Sequence, residues 1–209
     1  ELLEDFLDRI TLFGFYFAAL DYRQDRNVIE NTLKHVSLET LLEQDVTAET
    51  LFNIEKPIDI LPSTDDRIGD TLETFKTIKR IQETNGERGC HRYIISNCRD
   101  EMDIASVYFL AKQTAFPGEK IPIDFIPLFE TIDDLKNAEK IVTALFENNI
   151  YRNHLTQRNN KQTIMLGFSD GTKDGGYLSA NWNIYKARES LSSLSEKYGI
   201  KIVFFDGRG

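Results

Sequence analysis

The run Thr163-Ile164-Met165-Leu166-Gly167-Phe168 passes without a break into Ser169-Asp170-Gly171-Thr172-Lys173-Asp174-Gly175-Gly176. A short, almost continuous apolar stretch reads as a strand buried on both faces, which suits a parallel sheet better than a half-exposed antiparallel one. The segment after it pairs an acid and a lysine with three glycines at a strand-helix junction, a composition suited to binding an anion or a metal. Further on, Asn183–Tyr198 has the 3.6-residue period of a helix, and Gly199 is a natural stop for it. Strand, polar junction and helix make the repeating unit of a parallel α/β architecture.

Working outward, four more runs have the same character: Phe13–Leu20, Arg92–Ser96, Phe125–Phe129 and Lys201–Phe205. Helical periodicity lies between them. Asp65–Glu83 lines up Ile68, Leu72, Phe75, Ile78 and Ile81, and Met102–Gln113 and Asp133–Glu147 behave similarly. Short helices are expected between Asn27 and Glu55, with Pro57 and Pro62 marking a loop. There is no repeat, low-complexity tract or linker, so residues 1–209 read as a single α/β domain. About five parallel strands with intervening helices fit either a small open sheet or part of an eight-stranded barrel, and periodicity leaves both open.

Composition narrows the function. A formal net charge of −9 argues against nucleic acid, whose phosphates attract basic surfaces, but not against small anions held by a few focused cations. The longest apolar stretch near the start, Leu12–Leu20, is a strand's worth, so no membrane span is expected. Glu1 opens an acidic amphipathic segment without the basic start of a signal peptide. Cys90 and Cys98 have neither metal spacing nor a disulfide framework and read as reduced, structural thiols, which points to the cytoplasm. The chain opens without Met and stops within Asp206-Gly207-Arg208-Gly209, so it reads as an internal piece of a longer protein.

In parallel α/β folds, functional groups sit just beyond the C-terminal ends of the strands. Those positions carry Asp21-Tyr22-Arg23-Gln24-Asp25, Asn97-Cys98-Arg99, Glu130-Thr131-Ile132-Asp133-Asp134, the Ser169–Gly176 segment and Asp206-Gly207-Arg208-Gly209. Thr131 with Asp133 and Asp134 is a helix N-cap with an acidic first turn and needs no ligand. Glu130 precedes that cap. Arg23 has a plain alternative in bridging to Asp21 or Asp25, and Arg208 in being a solvated end residue. If the strands before Glu130 and Asp170 are neighbours, ~4.8 Å apart, both carboxylates can reach one ion. Two carboxylates completed by waters and substrate oxygens are the usual environment of Mg²⁺, and arginines add planar partners for carboxylate or phosphate.

These motifs, in this order, resemble phosphoenolpyruvate carboxylase. Leu20-Asp21-Tyr22-Arg23-Gln24-Asp25 is similar to the family's Leu-Asp-Ile-Arg-Gln-Glu/Asp, and Tyr93-Ile94-Ile95-Ser96 to its Tyr-Val-Ile-Ser strand. Pro127-Leu128-Phe129-Glu130-Thr131-Ile132-Asp133-Asp134-Leu135 matches its Pro-Leu-Phe-Glu-Thr-Ile/Leu-Asp-Asp-Leu. Met165–Gly176 resembles its Met-Ile-Gly-Tyr-Ser-Asp-Ser-Ala-Lys-Asp-Ala-Gly loop. The likeness covers nearly the whole chain, more loosely from about Val36 to Leu61.

The resemblance implies part of a (β/α)₈ TIM-type barrel within a larger, cytoplasmic, usually tetrameric lyase. Such an enzyme fixes carbon dioxide by joining bicarbonate to phosphoenolpyruvate, giving oxaloacetate for the tricarboxylic acid cycle and phosphate, with Mg²⁺ or Mn²⁺. By motif, Glu130 and Asp170 would be the metal ligands and Arg23 would hold phosphate or carboxyphosphate. Lys173 would support that charge, and Arg208 would occupy the arginine of the family's Phe-His-Gly-Arg-Gly-Gly segment.

Three departures accompany the match. The family's histidine in Thr-Ala-His-Pro-Thr has no counterpart, and His35, His91 and His154 sit in no motif and read as surface or structural. Asp206 stands where Phe-His-Gly-Arg-Gly-Gly has its histidine, and a carboxylate ionising near pH ~4 does not replace an imidazole as a neutral-pH acid. The glycine-rich loop also stops short. The segment by itself is therefore expected to lack carboxylase activity. Two rival readings stand beside this one: another Mg²⁺-dependent lyase or phosphotransferase acting on phosphoenolpyruvate or pyruvate, and a non-catalytic barrel remnant.

Overall fold

The computed structural model describes residues 2–37, 46–57, 60, 63 and 65–207. In chain order these form α1 (Leu2–Phe13), β1 (Leu20–Asp25), α2 (Arg26–Ser37), α3 (Ala48–Asn53) and α4 (Asp66–Asn85). A 3₁₀ turn (Glu87–Gly89) then leads to β2 (Cys90–Ser96), α5 (Glu101–Thr114), β3 (Asp124–Phe129) and α6 (Ile132–Glu147). The chain continues through α7 (Asn149–Gln157), β4 (Lys161–Gly167), α8 (Ser169–Tyr198) and β5 (Lys201–Gly207). Pro62 and Arg208 lie outside the described residues.

The five strands form one sheet in the order β1-β2-β3-β4-β5, and every neighbouring pair is parallel. The partial-barrel expectation agrees with this open sheet and its intervening helices. Side chains alternate across it as strand geometry requires. Tyr93, Ile95, Phe125, Phe129, Ile164 and Leu166 share the main core with residues from α2 to α8. The opposite face carries a separate small cluster, Ile94, Ile126 and Leu128 with Met165 against it, and no helical residue belongs to it. The concave inner face and the helix-covered outer face are thus set by odd and even positions along each strand.

Local chemistry accounts for the boundaries. Capping boxes at Asp100/Asp103 and Thr131/Asp134 start α5 and α6, Asn148 caps α7, and Gly199 in the left-handed region ends α8. Pro127 has no N–H for a ladder. Accordingly, β3 registers Asp124–Pro127 with β2, then Leu128 and Phe129 with β4. Gln162 bridges the interrupted stretch: its Nε2 donates to the Phe125 carbonyl at 2.9 Å, while its Oε1 accepts from the Tyr151 hydroxyl at 2.8 Å.

The first strand corrects the sequence reading. The run Phe13–Leu20 is not a strand: α1 ends at Phe13, a turn follows, and the strand is Leu20–Asp25. Gly14 and Phe17 both have positive φ, which an extended strand does not tolerate. Residues 20–25 instead find a full register along β2. The apolar run is left exposed, with Phe15 at 92% and Phe17 at 79% of their full accessible surface. The glycine-rich segment also differs from expectation. It is no loop, since α8 begins at Ser169, and its break comes at Gly176 with φ of 81°.

Candidate active site

The rim at the carboxyl ends of the strands is assembled from β1, β3, β4 and the first turn of α8. Arg23 lies within β1, not beyond it, because the strand begins and ends later than the sequence reading had it. Its register partner is Ile94, an inner-face residue, so its guanidinium rises along the concave side. There its Nη2 donates to Glu130 Oε1 at 2.8 Å.

Glu130 follows β3 and is 8% exposed. Its backbone N–H and that of Thr131 donate to Asp134 Oδ2, so the capping box holds its main chain while leaving its side chain to the rim. The second carboxylate oxygen, Oε2, accepts from the backbone N–H of Asn97 at 3.1 Å. Each oxygen therefore holds one donor and keeps a lone pair. Opposite stands Gly167. A Cβ there would lie 3.1 Å from Glu130 Cγ and 3.2 Å from its Cα, so only glycine lets β4 come this close without a shift.

Asp170 and Lys173 come from the first turn of α8 and pair with each other at 3.0 Å, both largely exposed. Together with Arg23, Glu130, Gly167 and Gly207 they line one cavity of about 300 Å³. Four of the five residues singled out from the sequence, Arg23, Glu130, Asp170 and Lys173, thus share one chamber. Its charges balance, two carboxylates against two cations. Among the described residues no group of three or more His, Cys, Asp or Glu side chains converges as a metal cluster. The side-chain oxygens that line this cavity are those of the two carboxylates and the Ser169 hydroxyl.

None of the three histidines lines the cavity. His154 is buried among Tyr108, Phe125 and Tyr151, and burial pushes its pKa down to about 4. His91 is half-buried near Asp124, and His35 is half-buried on α2. Cys90 and Cys98 are buried and unpaired, and burial pushes both thiols up, as structural cysteines should be. Asp206 is an outer-face residue of β5 and forms a close ion pair with Arg188 of α8. Its outward direction follows from its place between inner-face Phe205 and Gly207. Asn97 is the rim residue to which the sequence assigned no role. Its contribution is a backbone N–H in a left-handed turn, φ 55°, which leaves little trace in sequence beyond the tolerance of Asn for that region.

A five-stranded parallel α/β sheet with helices on its outer face, and with two carboxylates and two cations gathered at its carboxyl edge, defines a segment of a (β/α) barrel with a charged rim. The phosphoenolpyruvate carboxylase family profile matches residues 1–209, and the chain belongs to that family. It is 34% identical over 228 residues to the phosphoenolpyruvate carboxylase of Gloeobacter violaceus, covering 99% of this chain and 24% of that protein. It is 33% identical over 227 residues to that of Parasynechococcus marenigrum, covering 100% of this chain and 22% of that protein. The chain therefore spans less than a quarter of the length of these curated relatives. No helix among the described residues is long and apolar enough to cross a membrane.

Proposed function

We propose that this chain supplies the metal- and anion-binding part of a phosphoenolpyruvate carboxylase, a carboxy-lyase that converts phosphoenolpyruvate and bicarbonate to oxaloacetate and phosphate. The observation that carries the proposal is the convergence of Arg23, Glu130, Asp170 and Lys173 on one cavity, in a chain of that family. Glu130 and Asp170 would hold Mg²⁺ or Mn²⁺. Both are hard oxygen donors on the cavity lining, and two carboxylates are a usual protein share for such a cation. When bound, the cation supplies Lewis-acid stabilisation of negative charge developing on the substrate oxygen.

The chain's own residues do the rest. Arg23, fixed by Glu130, presents the rest of its guanidinium to a phosphoryl group. A bicarbonate oxygen attacks phosphorus, the bond from phosphorus to the enol oxygen breaks, and carboxyphosphate and the enolate of pyruvate form. Lys173 and Arg23 balance the charge on the transferred group, and a preorganised donor of this kind contributes about 3 kcal/mol. Carboxyphosphate then releases carbon dioxide and phosphate, and the enolate carbon bonds to carbon dioxide. Leu128 and Met165 give the cavity wall an apolar stretch, against which an enolate shielded from water would escape protonation. Arg208, next in sequence after β5, would add a further cation. We place the whole enzyme in the cytoplasm as a homotetramer whose oxaloacetate feeds the tricarboxylic acid cycle.

The test is oxaloacetate formation by the whole enzyme, coupled to NADH oxidation, with and without bicarbonate and with Glu130→Gln and Arg23→Gln. Bicarbonate-dependent activity lost in both variants is expected. Pyruvate release indifferent to bicarbonate would instead assign the rim to another phosphoenolpyruvate lyase. The 209-residue chain alone is expected to form no oxaloacetate, because the proton-transfer histidine of the family motif is not among its rim residues.

A further inference from the structure

Asn97 sits between two carboxylates that belong to different strands. Its side-chain Nδ2 donates to Asp25 Oδ2 at 2.7 Å, while its backbone N–H donates to Glu130 Oε2 at 3.1 Å. Asp25 is itself held: its Oδ1 accepts from the backbone N–H and the side-chain amide of Asn27, both at 2.8 Å, at the start of α2. The turn is pinned from the other side as well. The N–H of Cys98 donates to the Leu128 carbonyl at 3.2 Å, extending the contact with β3 past the end of β2. The N–H of Asn97 is given to the Glu130 carboxylate, and its left-handed φ of 55° turns the chain that follows away from the line of β2.

Three strands thus meet in a closed circuit. Arg23 on β1 holds one oxygen of Glu130, and Asp25 on the same strand holds Asn97, which holds the other oxygen. Two donors from different directions fix the plane of the carboxylate as well as its position. Partners behind a metal-ligating side chain orient it in this way, and their loss typically weakens metal binding by about 10- to 100-fold.

We infer that Asn97 is a positioning residue for Glu130, with the Asp25 clamp locking the turn that aims its N–H at the carboxylate. The inference rests on the reading of Glu130 as a ligand for a divalent cation. It concerns a residue that touches neither substrate nor cation.

Two measurements on the ¹⁵N-labelled chain separate the inference from the reading beneath it. The first follows the Asn97 amide proton: it is expected downfield, and Glu130→Gln should move it upfield while amides of α6 far from the rim stay in place. An Asn97 amide indifferent to Glu130→Gln overturns the positioning role. The second follows Mn²⁺-induced line broadening around Gly167–Gly171, which registers even weak binding. Asn97→Leu, which disfavours the left-handed turn and removes the clamp, should raise the Mn²⁺ dissociation constant about tenfold. Asn97→Gly accepts the left-handed turn but loses the Asp25 clamp, so it should weaken Mn²⁺ by about threefold, less than Asn97→Leu. If Asn97→Leu does not fold, Asp25→Ala cuts the clamp from its other end and should weaken Mn²⁺ by about threefold, as Asn97→Gly does. A folded Asn97→Leu or Asp25→Ala chain that binds Mn²⁺ as the original does also overturns the positioning role. If Glu130→Gln leaves the broadening intact, or the original chain shows none, the metal reading of Glu130 fails, and the amide response alone decides on Asn97.

Discussion

Acidification should unfold this domain in part through His154. The ring is 4% exposed, surrounded by Tyr108 of α5, Phe125 of β3 and Tyr151 of its own helix, with Arg158 and Asp124 as the charged groups nearby. Burial is the largest cause of its lowered pKa, and the Arg158 guanidinium adds to it, while Asp124 and the hydrogen bond to the Ile123 carbonyl work the other way. The folded ring titrates at about 4, against 6.5 for an exposed one. Between those values the unfolded chain binds a proton that the folded chain refuses, so stability falls as pH drops through this window. Above the upper value both states are neutral, and below the lower one both are protonated. The linkage integral gives a loss of about 2 kcal/mol by pH 5 and about 3 kcal/mol by pH 4 relative to pH 7. Urea denaturation followed by far-ultraviolet circular dichroism, at pH steps from 7 to 4, measures the curve for the original chain and for His154→Phe. Phenylalanine keeps the aromatic packing and cannot take a proton, so its curve should be flatter by the stated amounts, whatever the carboxylates and His91 contribute to both. Parallel curves for the two chains would refute the assignment.

Three further outcomes follow from particular contacts. Gly167→Ala places a methyl group against Glu130 and should cost about 1–2 kcal/mol, read as a lowered urea midpoint, with the Asn97 amide shifting because its acceptor has moved; an unchanged midpoint and amide would show that the strands can part freely. Asp124 is 6% exposed and pairs with Arg158 at 2.6 Å and Lys161 at 3.3 Å. Asp124→Ala leaves the mostly buried Arg158 with Glu87 alone and Lys161 to partial solvation, so about 2 kcal/mol of stability should be lost, and no loss in the same assay would mean that Glu87 and water replace Asp124 fully. On α1 every residue is exposed, including Leu2, Leu3, Phe6, Leu7 and Ile10. The isolated chain should therefore self-associate by light scattering, less so when residues 1–17 are deleted, and a clean monomer would contradict this.

The strands that were legible in sequence are those whose apolar runs are buried by the fold. β2 to β5 combine outer-face residues such as Tyr93 and Phe125 with inner-face residues such as Ile94 and Ile126, so hydrophobicity is nearly continuous along them. β1 was misplaced because Phe13–Leu20 is just as apolar but has no ladder to join. The true strand alternates Asp21, Arg23 and Asp25 with its other residues and looks polar. Periodicity measures what a segment would bury, not whether a partner is there. The cavity was legible for a simpler reason: Glu130 and Asp170 follow successive strands, and successive strands are neighbours here. The direction of Asp206 could have been read from period-two alternation with Gly207. The part played by Asn97 could not, since it depends on a main-chain proton and on Asp25, a residue 72 positions earlier.

That the strands lie side by side in the order of synthesis has a kinetic meaning. Each strand as it is made meets the edge of the strand made before it, across a crossover of one to three helices, and no strand must wait for a later segment to appear. Loop-closure entropy is met in small instalments, a pattern that suits folding during translation. The intermediates would grow by accretion, each exposing one fresh strand edge that its successor covers.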